Sequence, residues 1–324
     1  MSYDKFLYLS KQDVLDAEVS MQEIIDALEA MFKEKGQDRV VIPPKPGIHT
    51  QPDAFIHAMP AYIPSLNSAG IKWISGYPQN QQKGLPYING LLILNDTETG
   101  IPYTVMDGAW ITAQRTAAAS AVAAKYMARK DSSTLGIIAC GVQGRSHLEA
   151  FSCLYKLKKV KAYDLYSHVA EKFAQEMSPA FDVQIEVVDE PQKAVQGMDL
   201  VVTSGPIVKK PQPIIEPDWL SEGSFTSLVD FDCMCTKQAL QAVDIIATDD
   251  INQLESFRKS GYFLMTPAVD LDLGHIVAGK KSGRNNALER TIAINLGVAL
   301  DDMATAPLVY QKAVQKGLGT ELPL

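Results

Sequence analysis

The sequence predicts an α/β protein in which a Rossmann-like, doubly wound parallel sheet is joined to a separate α+β domain. Three observations carry this expectation. A chain of 324 residues exceeds the usual size of one compact core, so two domains are expected. From Thr134 onward, strand-like and helical segments alternate, and the strand-like runs lack polar alternation, as in a parallel sheet covered on both faces. From Val40 to Thr104 the texture differs, with short β-like runs broken by Pro and Gly. The predicted division is a domain over residues 1–119, to which 303–324 returns, and a Rossmann domain over 120–302.

In chain order, SMQEIIDALEAMFKEK over residues 20–35 places Ile24, Ile25, Leu28, Met31 and Phe32 at helical spacing. Ser20, with Glu23 three residues on, forms a capping-box signature. RVVIPPK, FIHAMPAYI, SAGIKWISGYP and INGLLILND then read as an antiparallel or mixed sheet. The alanine-rich stretch from Thr112 predicts a closely packed helix ending near Ala128, the passage between domains. Beyond it come strand TLGIIAC, a helix from Gln143 to about Tyr155, strand KVKAYDLY, helix AEKFAQEM and strands VQIEVV, MDLVVTS and GSFTSLVD. Helix TKQALQA and strand VDIIAT follow, and the amphipathic LVYQKAVQKGL is expected to return to the first domain.

Composition narrows the function. A net charge of -8 with pI near 5.2 disfavours nucleic acid, which demands a basic face, and favours a small-molecule partner. The opening MSYDKFLYLSKQDV has no apolar segment of the signal or anchor kind, and no stretch approaches the roughly 20 apolar residues of a membrane helix. The expected location is therefore the cytoplasm. Cys140, Cys153, Cys233 and Cys235 do not make a disulfide framework, and Cys233-Met-Cys235 lacks the paired Cys or His spacing of a zinc site, so no metal is expected.

Chemistry concentrates at Ala139-Cys140-Gly141-Val142-Gln143-Gly144, which follows a strand and opens a helix. There, backbone amides at a helix N-terminus can hold a pyrophosphate. Ala139 departs from G-x-G-x-x-G at its first position, while Gly141 and Gly144 fill those for phosphate approach and helix–strand packing. Asp164 ends the next strand 23 residues beyond Gly141, near the offset of a ribose-binding acid, and no arginine lies in YDLYSHVAEK to receive a 2′-phosphate. NAD is therefore expected over NADP, with Thr203, Ser204 and Val229 also along the cofactor; the bland reading of Asp164 is a solvated acid closing a strand.

Three stretches, GIKWISGYPQNQQKGLPYINGLLILND continuing through RTAAASAVAAKYMA (70–128), IIACGVQGRSHLEAF (137–151) and GRNNALERTIAINLGVALDD, resemble the ornithine cyclodeaminase and mu-crystallin family over nearly the full length. The resemblance implies an N-terminal domain that binds substrate and dimerises, giving a homodimer. It implies that Lys72 contacts the substrate carboxylate, that Arg115 lies beside cofactor and substrate, and that Asp232 is the acid–base group, in VDFDC where cyclodeaminases read much like VGGDC. Asn295 matches a position near the nicotinamide and Leu296 one near the substrate, and Val142 and Gln143 match the phosphate turn. Lys45 stands roughly where the family has a carboxylate-binding arginine, and Thr236 stands where cyclodeaminases place a substrate-binding lysine.

Elementary chemistry is compatible with these roles. A carboxylate can be fixed by Arg through two hydrogen bonds and by Lys as a point charge. Lys72 alone reads equally as a snorkelling surface lysine. Arg115 near a helix start opposes the helix dipole, a conflict that an anion would resolve. Asp230 is the rival acid to Asp232, either could be a solvated loop acid, and His57 is either a site residue or a structural strand histidine. The leading expectation is NAD-linked oxidation of an L-amino acid to an imine along an ornithine-cyclodeaminase-like course, giving L-proline and ammonia from L-ornithine. The alternatives are an alanine-type amino-acid dehydrogenase or cyclic ketimine reductase, and a non-enzymatic dinucleotide- and ligand-binding protein of the mu-crystallin kind.

Overall fold

The computed structural model describes residues 4–324. Residues 1–3, which open both the segment read as leaderless and the expected 1–119 domain, lie outside the described residues. The chain divides into two units, one formed by Met1–Arg115 with Gly297–Leu324, the other by Thr116–Leu296.

The first unit begins with β1 (Lys5–Leu9), α1 (Lys11–Asp16) and α2 (Met21–Lys35), the last opened by the capping box at Ser20. β2 (Gly47–Ile48), β3 (Phe55–Ile63), β4 (Ser68–Gly76), β5 (Ile88–Asn95) and β6 (Pro102–Asp107) follow. RVVIPPK is not a strand: its one ladder contact is the Val41–Tyr62 bridge, because Pro43, Pro44 and Pro46 have no N–H to donate. α3 (Ala109–Met127) starts three residues earlier than expected, with the Asp107 carboxylate accepting from the Ala109 N–H at 3.1 Å, and runs from the first unit into the second.

The second unit continues with β7 (Thr134–Ile138), α4 (Val142–Leu154), β8 (Lys159–Tyr163), α5 (Ser167–Phe181), β9 (Ile185–Val187), α6 (Pro191–Val195) and β10 (Leu200–Thr203). It is completed by β11 (Phe225–Leu228), α7 (Lys237–Ala242), β12 (Ile245–Thr248), α8 (Ile251–Lys259), α9 (Leu273–Val277) and β13 (Thr291–Ile294). The chain closes on α10 (Ala299–Lys316) and β14 (Thr320–Pro323) in the first unit. β13, α6, α8, α9, β1 and β14 were not singled out in the sequence.

The first sheet has the order β14-β1-β6-β5-β4-β3-β2, antiparallel except where β1 runs parallel to β6. The period of two decides which side chains face inward. On β4, Ser68, Lys72 and Ile74 are buried on the face covered by α10, while Trp73 is 49% exposed on the other. Lys72 therefore points into the unit, and the snorkelling reading fails.

The second sheet is wholly parallel, in the order β12-β13-β11-β10-β7-β8-β9. The order in which strands are added reverses at β7, with β8 and β9 on one side and β10 on the other, and in open α/β sheets ligands bind beyond the carboxyl ends of strands at such a switch point. β7 sits close against α6, where a Cβ on Gly136 would overlap the Ala194 carbonyl. Gly136→Ala should therefore destabilise the protein by about 1–3 kcal/mol, read as a lowered midpoint in denaturant unfolding; an unchanged midpoint would contradict this packing.

Candidate active site

The turn after β7 lies at the switch point. Ala139 adopts φ +72°, the left-handed conformation that glycine takes at the first position of the motif. The fold thus keeps the glycine geometry with an alanine, at a cost of about 1–2 kcal/mol. A Cβ on Gly144 would lie 2.8 Å from the Ala139 carbonyl oxygen, whereas one on Gly141 would meet open space. No side chain caps α4, and Val142 is 67% exposed beside its free amides. Asp164 is neither free nor merely solvated: its carboxylate accepts from the Cys140 N–H at 2.8 Å and from the Tyr166 N–H at 3.0 Å, joining the end of β8 to the turn.

Neighbouring strands bring the other expected cofactor residues to the same edge. The Ser204 N–H donates to the Ile138 carbonyl at 3.1 Å and its hydroxyl to the Ala139 carbonyl at 3.0 Å. The Val229 N–H donates to Thr203 and that of Asn295 to Leu228, each at 3.0 Å, so β10, β11 and β13 end side by side. A buried polar chain runs behind them. The Asn295 amide donates to Ser120 and Ser227, both at 3.0 Å, and Ser227 donates to Ser120 at 2.9 Å. Ser120 meets His147 Nε2 at 2.8 Å, and His147 Nδ1 meets the Gln143 carbonyl at 2.7 Å. Since Nδ1 faces a carbonyl it carries the proton, and Nε2 accepts from Ser120. Asn295 Oδ1 and Gln143 Oε1 are left buried without a hydrogen-bond partner among the described residues. Free amides, an open approach at Gly141 and two unsatisfied acceptors fit a bound dinucleotide.

Asp232 follows β11 and is 4% exposed. Its Oδ2 accepts from the Thr266 hydroxyl at 3.1 Å and the Met265 N–H at 3.4 Å. Burial raises its pKa against those hydrogen bonds, giving a carboxylate with more affinity for a proton than an exposed one. The loop that supplies them is held by Arg258, whose guanidinium donates to the carbonyls of Phe263, Thr266 and Pro267. Phe231 stands at φ +64°, where the cyclodeaminase pattern has glycine, and packs against Phe257, Tyr262 and Phe263. That aromatic packing offsets the cost of a bulky residue in the left-handed region.

Asp230 is fully buried, accepting from the Thr203 hydroxyl at 2.7 Å and the Gly205 N–H at 2.8 Å, and burial pushes its pKa up to about 6. Neither acid is a solvated loop residue. Leu296, 6% exposed, packs in the apolar core of the second unit. Cys233 and Cys235 are buried and form no disulfide, and among the described residues no cluster of His, Cys, Asp and Glu could hold a metal ion.

In the first unit, Lys72 Nζ is fully buried and donates to Asp302 Oδ1 at 2.6 Å and to the Thr112 hydroxyl at 3.2 Å. Arg115 pairs with Asp301 through NH1 at 3.1 Å and with Asp302 through Nε at 3.2 Å. Because α3 begins at Ala109, Arg115 lies beyond its first turn and the expected conflict with the helix dipole does not arise; its charge is compensated by two acids in the first turn of α10, where the dipole favours them. Gly297, at φ +72°, is required beside them because a Cβ there would overlap the Arg115 guanidinium. Lys45 Nζ donates to the Gly297 carbonyl at 3.0 Å. His57 stacks on Phe55, and burial, with Lys45, His49 and Lys72 nearby, pushes its pKa down to about 3, so it is neutral.

Asp301 and Asp302 are the site residues that sequence reasoning missed, although they close the family-like stretch GVALDD. Thr236 caps α7, accepting from the Ala239 N–H at 3.1 Å and donating to Glu216 at 3.4 Å.

The chain is similar to known proteins over nearly its whole length. The profile of the ornithine cyclodeaminase/mu-crystallin family matches residues 7–317. An alanine dehydrogenase of Archaeoglobus fulgidus is 33% identical over 320 residues, 96% of this chain and 96% of that protein. The structure of Δ1-pyrroline-2-carboxylate reductase of Thermococcus litoralis, in complex with NADH and L-proline, has a TM-score of 0.88 at 32% identity and covers 97% of this chain and 99% of that one. A lysine cyclodeaminase structure, described for recognition of L-lysine, L-ornithine and L-2,4-diaminobutyric acid, has a TM-score of 0.87 at 25% identity, covering 99% of this chain and 96% of that one.

The polar chain behind the switch point gives a pH signature. Burial pushes the His147 pKa down to about 4, whereas an unfolded histidine protonates near 6.5. As pH falls between these values the unfolded chain takes up a proton that the native one refuses, so stability falls, by up to about 3 kcal/mol from this group. Above about pH 6.5 the effect vanishes. Denaturant unfolding of the protein beside His147→Gln should show the difference between them shrinking as pH is lowered through that window; a constant difference would contradict a buried neutral His147.

Proposed function

The chain belongs to the ornithine cyclodeaminase/mu-crystallin family, and on that premise we propose that it is an NAD-linked oxidoreductase that interconverts an L-α-amino acid and its α-imino acid. A cyclic imino acid of the Δ1-pyrroline-2-carboxylate kind is the substrate this reading favours. The observation that carries it is the buried pairing of Lys72 and Arg115, two cations in the interior of a unit whose chemistry suits a carboxylate.

In this reading Lys72 and Arg115 fix the substrate carboxylate, with Lys45 as a third cation nearby, and so orient the α-carbon. Asp232 holds the proton exchanged with the substrate nitrogen. It takes one from the amine as the imine forms and returns it in reduction, a role suited to a carboxyl whose pKa burial has raised. Gly141, Val142, Gln143 and Gly144 would hold the pyrophosphate on the amides of α4, and Asp164 the adenosine ribose, where its charge disfavours a 2′-phosphate. Thr203, Ser204 and Val229 would line the dinucleotide, and Asn295 Oδ1 would accept from the nicotinamide amide. When bound, NAD accepts the α-hydride and NADH donates it, so no metal is needed. Leu296 is assigned to the apolar side of the substrate. A second copy is proposed to dock on the outward face of β3–β5, where Trp73 and Leu91 are 49% and 45% exposed.

Ornithine cyclodeamination is the second reading. Thr236 is engaged as a helix cap where cyclodeaminases place a lysine, which supports a substrate without a distal ammonium. A binding-only role is disfavoured by the buried, proton-affine Asp232.

With NADH and Δ1-pyrroline-2-carboxylate the purified protein should oxidise one NADH per L-proline formed. Proline and ammonia from L-ornithine with NAD, without net NADH, would instead support cyclodeamination, and no turnover of any amino or imino acid would contradict both. Asp232→Asn should lower kcat by about 10²–10⁴-fold and leave NADH affinity unchanged; retained activity would remove Asp232 from its role.

A further inference from the structure

Resting on the carboxylate-binding reading of Lys72 and Arg115, we infer that Asp302 is the positioning residue that holds these two cations together as one receptor for the substrate carboxylate. Its Oδ1 lies 2.6 Å from Lys72 Nζ and 3.2 Å from Arg115 Nε, so one oxygen bridges side chains from β4 and α3. Asp301 acts differently, pairing with Arg115 NH1 and also accepting from the Val298 N–H at 3.2 Å, which ties the guanidinium to the start of α10. Lys72, Asp301 and Asp302 are all fully buried, and Asp302 Oδ2 has no hydrogen-bond partner among the described residues. Asp302 thus directs its charge to the two cations.

The need for it follows from elementary electrostatics. Two cations side by side in a water-free interior repel each other, and burial alone would discharge the lysine, the one of the two able to lose its proton. Asp302 opposes both effects. Asp302 and Thr112 use two of the three ammonium N–H bonds, leaving one for a carboxylate oxygen. The receptor is thereby assembled before substrate arrives, with Lys72 held protonated to a higher pH than burial and Arg115 alone would allow, and orientation is not lost in rebuilding it. The charged groups set around Lys72 are Asp302 and Asp301 on α10, Arg115 on α3 and Lys45 ahead of β2, with neutral His57 on β3. Burial and Arg115 lower the Lys72 pKa to about 7 despite Asp302, so removing that acid leaves the lysine uncharged at lower pH.

The test measures kcat and KM for reduction of Δ1-pyrroline-2-carboxylate by NADH, from pH 6 to 9, in the wild type, Asp302→Asn and Asp302→Glu. Asp302→Asn should raise KM about tenfold or more at pH 8 with a much smaller change in kcat, as expected for lost binding common to ground and transition states. The rise of KM with pH should begin on the order of one pH unit lower than in the wild type. A merely structural role would lower the folded fraction without moving that pH dependence. If Asp302→Asn lacks a cooperative thermal transition, Asp302→Glu decides: it keeps the charge but displaces it, so KM should rise with the wild-type pH dependence. Wild-type KM and pH profile in a folded Asp302→Asn, or wild-type KM in Asp302→Glu, would overturn the positioning role alone. A wild type inactive on this and every other amino or imino acid would overturn the functional reading and this one with it.

Discussion

Two cations buried where water cannot reach them are the constraint on which the rest of the first unit depends. Lys72 enters the interior because it shares the inward face of β4 with Ser68 and Ile74. A charge there is tolerable only when paired and hydrogen-bonded. The chain answers with consecutive acids in the first turn of α10, a segment that must therefore return across almost the whole sequence to lie on β3 and β4. Such pairs add little net stability compared with apolar packing, yet breaking one costs about 3–5 kcal/mol. In the proposed reading a ligand, and not stability, accounts for a buried ion network kept at that risk. Gly297, with its positive φ and its position against the Arg115 guanidinium, belongs to the same solution.

The second unit solves a different problem, exposing backbone donors at one point of an otherwise sealed parallel sheet. The reversal of strand order at β7 opens that point, and Asp164 and Ser204 brace the turn from either side. Ala139 and Phe231 are two non-glycine residues held at positive φ, in the phosphate-type turn and beside Asp232. Each is fixed by its surroundings, Ala139 by hydrogen bonds to Tyr163 and Ser204 and Phe231 by its aromatic neighbours. Strain kept in place by tertiary contacts at a ligand site is a recurrent feature of pre-organised sites.

Much of this was legible in the sequence, for identifiable reasons. The helix at Ser20 announced itself through local capping chemistry, and the strands of the parallel sheet through unbroken apolar runs. The turn after β7 was readable because its glycines serve local geometry, and Lys72 and Arg115 were singled out only through a family resemblance. Asp301 and Asp302 were not recognised, because their importance lies in partners some 190 and 230 residues away, to which no local period points. β13 was not singled out in TIAINLG, and β14 escaped because it pairs with β1 across the whole chain. RVVIPPK misled because its β-branched residues outweighed Pro43 and Pro44, whose missing donors, with that of Pro46 just beyond, decide the matter. The burial of Lys72 was equally beyond reach, since alternation gives a strand two faces without saying which is covered.

If substrate is held by its carboxylate so that hydride passes between the α-carbon and a nicotinamide, that hydrogen can be followed directly. The decisive measurement is transfer of label from NADH carrying deuterium at C4 to Δ1-pyrroline-2-carboxylate, followed by mass and proton spectra of the product. The expected product is L-proline carrying one deuterium at the α-carbon when the donated hydrogen is the labelled one of the two at C4. Absence of deuterium from the α-carbon with either C4 epimer of labelled NADH would contradict direct hydride transfer at this site.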